Sequence, residues 1–295
     1  LPNARRTELA RGIAVIGSTT IDRNSVDGRL YVKPGGATTY AGITYRRHGL
    51  PTWAVTNVAA GEQQVLAPLA AEQIGLLIGE SDRTTRFVNR VIRGERVQEM
   101  PARAAPITAD QVRTVLRRVG ALHLGPLHAA DIDPAAYGVI ASRGAFAVLD
   151  IQGCVRLADG PRITAGVAAA LRPALRAARV VKSDLRELDT ITAHLRQGLA
   201  ELITEFGVDE WVVTMGAGGG FIREATGAEH PFAAEPAADP LDPTGAGDVF
   251  LAAYVCARFC DGASPGAAAR RAARVAAAQV AGVFIALPAF SEAAD

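Results

Sequence analysis

Leu241-Asp-Pro-Thr-Gly-Ala-Gly-Asp-Val-Phe250 is the stretch on which the reading of this chain turns. Gly245-Ala246-Gly247 opens an almost wholly apolar run, Ala246–Cys260, whose composition predicts a buried helix. Small residues at a helix start leave its first N–H groups exposed at the positive end of the dipole, with no side chain in the way. The tripeptide therefore reads as an anion hole, and Asp248 lies directly behind it. A carboxylate there repels phosphate, yet it is well placed to take a proton from a hydroxyl attacking a phosphoryl group held in the hole. A glycine-rich turn with an acidic N-terminal cap accounts for the same residues. Both readings stand at this level.

Upstream, short apolar runs recur at Gly12–Gly17, Trp53–Val58, Ala121–Leu124, Ala145–Ile151, Arg179–Val181 and Trp211–Met215. Between them, Thr108–Val119, Ile163–Ala178 and Asp189–Phe206 have helical character. Alternation of this kind predicts an α/β fold with a mainly parallel central sheet covered on both faces. Two polar segments, about 22–34 and 85–107, interrupt it, with turn signals at Asp27-Gly28 and Arg93-Gly94-Glu95. They read either as edge decoration or as a small β-lid over the strand ends. After the apolar helix, Ser264-Pro265 supplies an N-cap and an N1 proline for an alanine-rich helix running to Gly282.

Composition removes several classes. Lys+Arg 31 against Asp+Glu 30 leaves no basic excess for a polyanion, so nucleic acid is not an expected partner. Cys154, Cys256 and Cys260 make neither a disulfide framework nor a zinc site, and they read as small core residues. No run reaches the ~18 apolar residues of a membrane span. Leu1–Gly12 lacks the apolar centre of a signal peptide, so no membrane association and a reducing cytoplasm are expected. Only Lys33 and Lys182 are lysines, and neither follows a glycine as a Walker loop requires. The dinucleotide fingerprint fails at Phe221 and Phe250, where its third glycine belongs. The five histidines show no metal-ligand spacing; His123 and His128 read as core or loop residues.

Asp242-Pro243-Thr244-Gly245-Ala246-Gly247-Asp248 resembles the signature of the ribokinase-like (PfkB) carbohydrate kinases. Gly35-Gly36 with Ala41 resembles the family's amino-terminal Gly-Gly motif, and Thr214-Met-Gly216-Ala-Gly-Gly219 its Thr-x-Gly-x-x-Gly turn. The resemblance runs from about Ile13 to the end. It implies a three-layer ribokinase-like sandwich with a β-lid, 1–295 forming one kinase domain. It also implies ATP and Mg²⁺ as cofactors, Asp248 as base, and Gly245, Ala246 and Gly247 as the anion hole. Thr214, Gly216, Gly219 and Thr244 would then line the nucleotide, and Asp22 would bind acceptor hydroxyls. Asp242 and Thr244 lie where some members hold a monovalent cation such as K⁺ through loop carbonyls, but the second loop of that site does not align near Ala281–Pro288.

Two departures bear on chemistry. The family's Asn-x-x-Glu, which organises Mg²⁺ through water, becomes Asp184-Leu-Arg-Glu187. Oxygen ligands are kept and a charge is added, although a solvated helix start would look the same. Lys182, two residues upstream, reads equally as a phosphate contact or as a strand-end lysine in water. Phosphate is therefore expected to be managed by the Gly245–Gly247 N–H groups, by magnesium near Asp184 and Glu187, and by an arginine. Tyr40 replaces the sugar-binding Asn of ribokinases. Other stretches, Pro34–Tyr40, Thr84–Asn89, Gly125-Pro-Leu127 and Leu149–Gly153 with Arg156, resemble a branch containing myo-inositol kinases. The acceptor pocket expected on this basis comprises Asp22, Gly35, Gly36, Tyr40, Asn89, Gln152 and Arg156. The acceptor is a small polyol or sugar with a lean to a cyclitol. A nucleoside stacked on Tyr40 or Phe87 is the alternative, and a non-catalytic sugar- or nucleotide-binding protein is the alternative from another class. The lid's apolar face also suits a homodimer.

Overall fold

The computed structural model describes residues 2–26, 29–92, 95–237, 242–287 and 289. The turns expected at Asp27-Gly28 and Arg93-Gly94 lie outside the described residues, as do Leu241 and Pro288. In chain order the strands are β1 (Ile13–Ile16), β2 (Thr20–Val26), β3 (Arg29–Gly35), β4 (Thr52–Ala59) and β5 (Gly75–Ser81). Next come β6 (Thr85–Ile92), β7 (Glu95–Ala102), β8 (Ala121–Leu124), β9 (Phe146–Asp150) and β10 (Arg156–Asp159). The last are β11 (Arg162–Ala165), β12 (Val180–Asp184), β13 (Glu210–Thr214), β14 (Gly220–Glu224) and β15 (Glu229–Phe232).

The short apolar runs become the large sheet, ordered β15-β14-β13-β12-β9-β8-β1-β4-β5. Its pairs from β13 across to β5 are parallel, and only the edge pairs β13–β14 and β14–β15 are antiparallel. Strand periodicity divides each run between two cores. Ala14 and Ile16 face the core shared with helices Ala109–Leu116, Pro134–Arg143, Leu171–Ala177 and Leu199–Phe206. Ile13 and Val15 face the core shared with helices Ala37–Arg47, Ala246–Val255 and Pro265–Val280. Burial on both faces explains why these strands are apolar throughout. The result is three layers, helix on sheet on helix.

The second sheet, ordered β10-β11-β7-β6-β2-β3, is built largely from the two polar segments. β6 and β7 form the expected antiparallel hairpin. The hairpin β10–β11 was not anticipated, because Ile163–Ala178 reads as helical from its alanines. In fact Gly160, with φ +56°, turns Arg156–Asp159 back onto Arg162–Ala165, and the helix begins only at Leu171. The helix expected over Asp189–Phe206 also differs. Arg196 takes a left-handed φ of +54°, which splits it into Leu185–Leu195 and Leu199–Phe206. Among the described residues no helix is long and apolar enough to cross a membrane.

The helix Ala246–Val255 is held in place by its far end. Tyr254 donates its hydroxyl to Glu210 Oε2 at 2.5 Å, and Arg258 Nε donates to Glu210 Oε1 at 2.8 Å. Glu210 begins β13 and is buried, so this charge-assisted network fixes the helix against the sheet and sets where its first turn lies.

Candidate active site

The carboxyl ends of parallel strands form the crevice where α/β folds bind ligands. Here β9 ends in Asp150, β12 in Lys182-Ser-Asp184 and β13 in Thr214. Opposite them the turn Pro243–Gly247 starts the helix that carries Asp248, and β2 and β6 of the second sheet close the third side. These elements enclose a cavity of about 150 Å³. Its walls include Asp22, Gly36, Tyr40, Gln152, Arg156, Thr244, Gly245, Gly247 and Asp248.

Gly245 is dictated by the fold twice over. Its φ is +78°, and a methyl added there would sit 2.2 Å from the Tyr40 ring. The ring and the turn thus pack face against backbone, which no side chain at 245 would permit. Gly36, with φ +90°, caps the helix Ala37–Arg47, and Gly35 lies so close to Asp22 that a methyl would meet its Oδ2 at 2.3 Å. The Thr20 hydroxyl donates to Asp22 Oδ1 at 2.6 Å, fixing that carboxylate at the cavity wall.

Within the anion turn one role changes. The Ala246 N–H donates to the Pro243 carbonyl at 3.1 Å, and Ala246 does not line the cavity. The donors directed at a ligand are therefore to be sought at Gly245 and Gly247.

Of the two readings open for Lys182, the structure removes the strand-end lysine in water. Lys182 is buried, and Nζ donates to Asp150 Oδ2 at 2.7 Å. The two residues are register partners on adjacent parallel strands, which puts their side chains on the same face of the sheet. A methyl on Gly247 would lie 3.2 Å from Lys182 Nζ and 4.0 Å from Asp150 Oδ2. A lysine thus stands at the anion turn after all. Burial alone would lower its pKa, but Asp150, Glu187 and Asp248 outweigh that and hold the ammonium above its usual range.

Asp248 responds to the same enclosure. Burial raises its carboxyl most and Asp150 adds to the rise, against the pull of Lys182 and Arg156, so that it is pushed up to about 7. A carboxylate poised there suits proton transfer near neutrality.

Asp184 and Glu187 form a reciprocal capping box at the start of helix Leu185–Leu195: Glu187 N donates to Asp184 Oδ1 and Asp184 N to Glu187 Oε2, both at 2.7 Å. The motif is thus a helix start and an acidic site together. Burial, with Asp150 and Asp184 nearby, pushes Glu187 up to about 7 despite Lys182. This surplus of negative charge is what a hydrated divalent cation would relieve, so the residues fit Mg²⁺ held through water. Thr214 is the register partner of Asp184, and Gly216 and Gly219 follow with φ of +55° and +81°. None of Asp184, Glu187, Thr214, Gly216 and Gly219 lines the cavity.

Asn89 is also placed differently from expectation. It donates to Asn24 Oδ1 at 2.7 Å and accepts from Gln98 Nε2 at 2.8 Å, bracing the second sheet, and Gln98 lines the cavity instead. Asp242 accepts from Lys33 Nζ and from the Thr244 N–H, so its carboxylate is engaged within the protein. His123 is buried, with Nδ1 3.0 Å from the Tyr45 hydroxyl, and burial pushes it down to about 4. His128 is likewise buried, beside Asp131. Thr20, Gln98, Asp150 and Lys182 line the cavity without having been assigned to it. For Asp150 and Lys182 a signal existed, since each is a charge at the carboxyl end of an apolar run.

The sequence matches the profile of the pfkB family carbohydrate kinases over residues 11–283. No curated protein matches it significantly. Among solved structures, one similar chain is a pyrophosphate-dependent kinase in the ribokinase family, complexed with a pyrophosphate analog and myo-inositol. It is 23% identical, with 91% of this chain and 94% of that one covered and a TM-score of 0.79. A Burkholderia thailandensis nucleoside kinase in complex with inosine is 16% identical, with 92% and 91% covered and a TM-score of 0.74. An Arabidopsis thaliana ribokinase complexed with ribose and ATP is 18% identical, with 91% and 92% covered and a TM-score of 0.71. Fold, anion turn and buried acid converge with these matches: the chain belongs to the pfkB family of carbohydrate kinases, has the ribokinase-like α/β fold, and is a phosphotransferase.

Proposed function

We propose that the protein transfers the terminal phosphoryl group of ATP·Mg²⁺ to a hydroxyl of a small polyol or sugar, a cyclitol such as myo-inositol being the favoured acceptor. The observation that carries this reading is Asp248, with a pKa near neutrality, lining a polar cavity of about 150 Å³ beside Gly245, Gly247 and Lys182. When bound, ATP·Mg²⁺ supplies the electrophilic phosphorus. The Asp248 carboxylate takes the proton of the attacking hydroxyl. The N–H groups of Gly245 and Gly247 and the Lys182 ammonium face the negative charge that develops on the phosphoryl oxygens. Asp184 and Glu187 would hold the Mg²⁺ that accompanies the nucleotide.

Cavity size supports a single-ring acceptor. A cavity of about 150 Å³ has room for one six-membered ring. Asp22, Gln98, Gln152 and Arg156 supply hydrogen-bonding groups spread around that ring. On the donor side, Leu185 and Met215 are exposed large apolar side chains, each following one member of the register pair Asp184–Thr214. Exposed apolar side chains beside these strand ends suit a nucleobase and would be idle with pyrophosphate, which favours ATP. The second sheet acts as the lid that excludes water from the transfer. Tyr31, Val97 and Leu157 leave apolar surface exposed on that sheet, in keeping with a homodimer formed through it.

The test is a turnover panel of cyclitols, pentoses, hexoses and nucleosides, each with ATP·Mg²⁺ and with pyrophosphate·Mg²⁺. Phosphorylation of a cyclitol or monosaccharide by ATP is expected. Turnover with nucleosides alone would replace the acceptor assignment, and turnover with pyrophosphate alone would replace the donor. Binding without turnover throughout would favour a sugar- or nucleotide-binding protein.

A further inference from the structure

Lys33 is one of two lysines in the chain, and it reaches across the molecule to the anion turn. It lies on β3, directly opposite Asp22 in the register with β2, and its Nζ donates to Asp242 Oδ2. Asp242 begins the turn that ends in Asp248. Its Oδ1 accepts the Thr244 N–H at 2.9 Å, and its own N–H donates to the Val280 carbonyl at 3.2 Å. The Thr244 carbonyl in turn accepts Gln279 Nε2 at 3.4 Å. Gln279 is buried, and its Oε1 accepts the Ile285 N–H at 3.1 Å, which fixes which end of the amide faces Thr244. The Asp242 carboxylate and the Thr244 carbonyl, in the segment to which the resemblance assigns a monovalent cation, are thus engaged by N–H donors of the chain itself. Burial would raise the Asp242 carboxyl, but the hydrogen bonds from Lys33 and Thr244 outweigh it and hold the group below its usual range.

We propose that the Lys33 ammonium replaces a dissociable monovalent cation, so that the anion turn is held in its working shape by a tethered positive charge and catalysis needs no K⁺. An ammonium carries the same single charge as K⁺, and here it binds the carboxylate that opens the turn. Because it is anchored on β3, it also ties the second sheet to the turn that activates the phosphoryl group. The chain therefore carries a fixed internal counterion where other designs recruit one from solution.

The experiment compares KCl with choline chloride at equal ionic strength, for the wild type and for Lys33→Met. Melting temperature is one readout and is independent of the kinase reading; phosphoryl transfer is the other and rests on that reading. Wild-type melting and turnover are expected to agree within twofold in rate and about 1 °C between the two salts. Lys33→Met is expected to melt lower and to turn over at least tenfold more slowly in choline, with both deficits repaired by KCl or NH₄Cl. Lys33→Arg keeps the salt indifference of the wild type. K⁺-dependent melting or turnover of the wild type would overturn the proposal, and that arm needs no variant to fold. A Lys33→Met deficit that no monovalent cation repairs, or no deficit at all, would overturn it as well. Absence of turnover with unchanged melting behaviour would count against the kinase reading alone.

Discussion

Replacing Asp248 by Asn should remove a proton-linked component of folding that can be worked out in advance. The carboxyl is pushed from its ordinary 3.8 up to about 7 in the folded protein, chiefly by burial and then by Asp150. The folded state therefore binds a proton on descending from pH 8 to pH 6 that the unfolded chain does not bind. Stability must rise as pH falls through that window. Integrating the linkage across it gives about 1.4 kcal/mol for a fully enclosed group, and about 1 kcal/mol once solvent access through the cavity mouth is allowed for. Glu187, also pushed up to about 7, adds in the same direction, whereas His123, pushed down to about 4, works against it. Both contributions persist in the variant and cancel on subtraction. The assay is urea denaturation of wild type and Asp248→Asn at pH 6 and pH 8. Wild type should gain about 1 kcal/mol more than the variant on acidification. Equal gains would mean that Asp248 titrates at its ordinary value in the folded state, and the argument for a base poised near neutrality would fail. The same group must also appear as the ascending limb of kcat/KM, with a midpoint near 7.

Three further outcomes follow from the same geometry. Lys182→Met should cost about 3–5 kcal/mol in urea denaturation, because it leaves the Asp150 charge buried and unpaired, and the double variant with Asp150→Leu should recover most of that loss. Because Lys182 lowers Asp248 and Glu187, its removal should also move the acid limb of the pH–rate profile to higher pH. Gly245→Ala should lower the melting temperature and depress turnover by more than about 10²-fold. It combines a left-handed strain of about 1–2 kcal/mol with contact against Tyr40, and adding Tyr40→Ala should relieve only the contact.

What could be read from the sequence was what local chemistry specifies. The Gly245–Asp248 turn announces itself, because glycines, a small neighbour and an apolar run are all visible within ten residues, whereas the positive φ of Gly245 appears only in the fold. The alternation of apolar runs with helices likewise foretells a parallel sheet. The β10–β11 hairpin escaped because its alanines imitate a helix, although Gly160-Pro161 marks its turn. The helix break at Arg196 escaped because a non-glycine residue adopts the left-handed conformation there. Lys182 and Asp150 lie 32 residues apart, and only the pairing of β9 with β12 brings them together beneath Gly247. Lys33 and Asp242, 209 residues apart, meet only because β3 lies against the turn that precedes helix Ala246–Val255. A charge partner fixed by sheet order leaves no trace in the local pattern.

The central claim is that Asp248 performs the proton transfer of a phosphotransferase. Its most direct test measures Asp248→Asn against wild type for both binding and turnover, using a non-hydrolysable ATP analogue for the first and the acceptor that the panel identifies for the second. Analogue and acceptor affinities are expected within a fewfold of wild type, with phosphoryl transfer lower by about 10²–10⁴-fold. Transfer at an undiminished rate in the variant would contradict that claim.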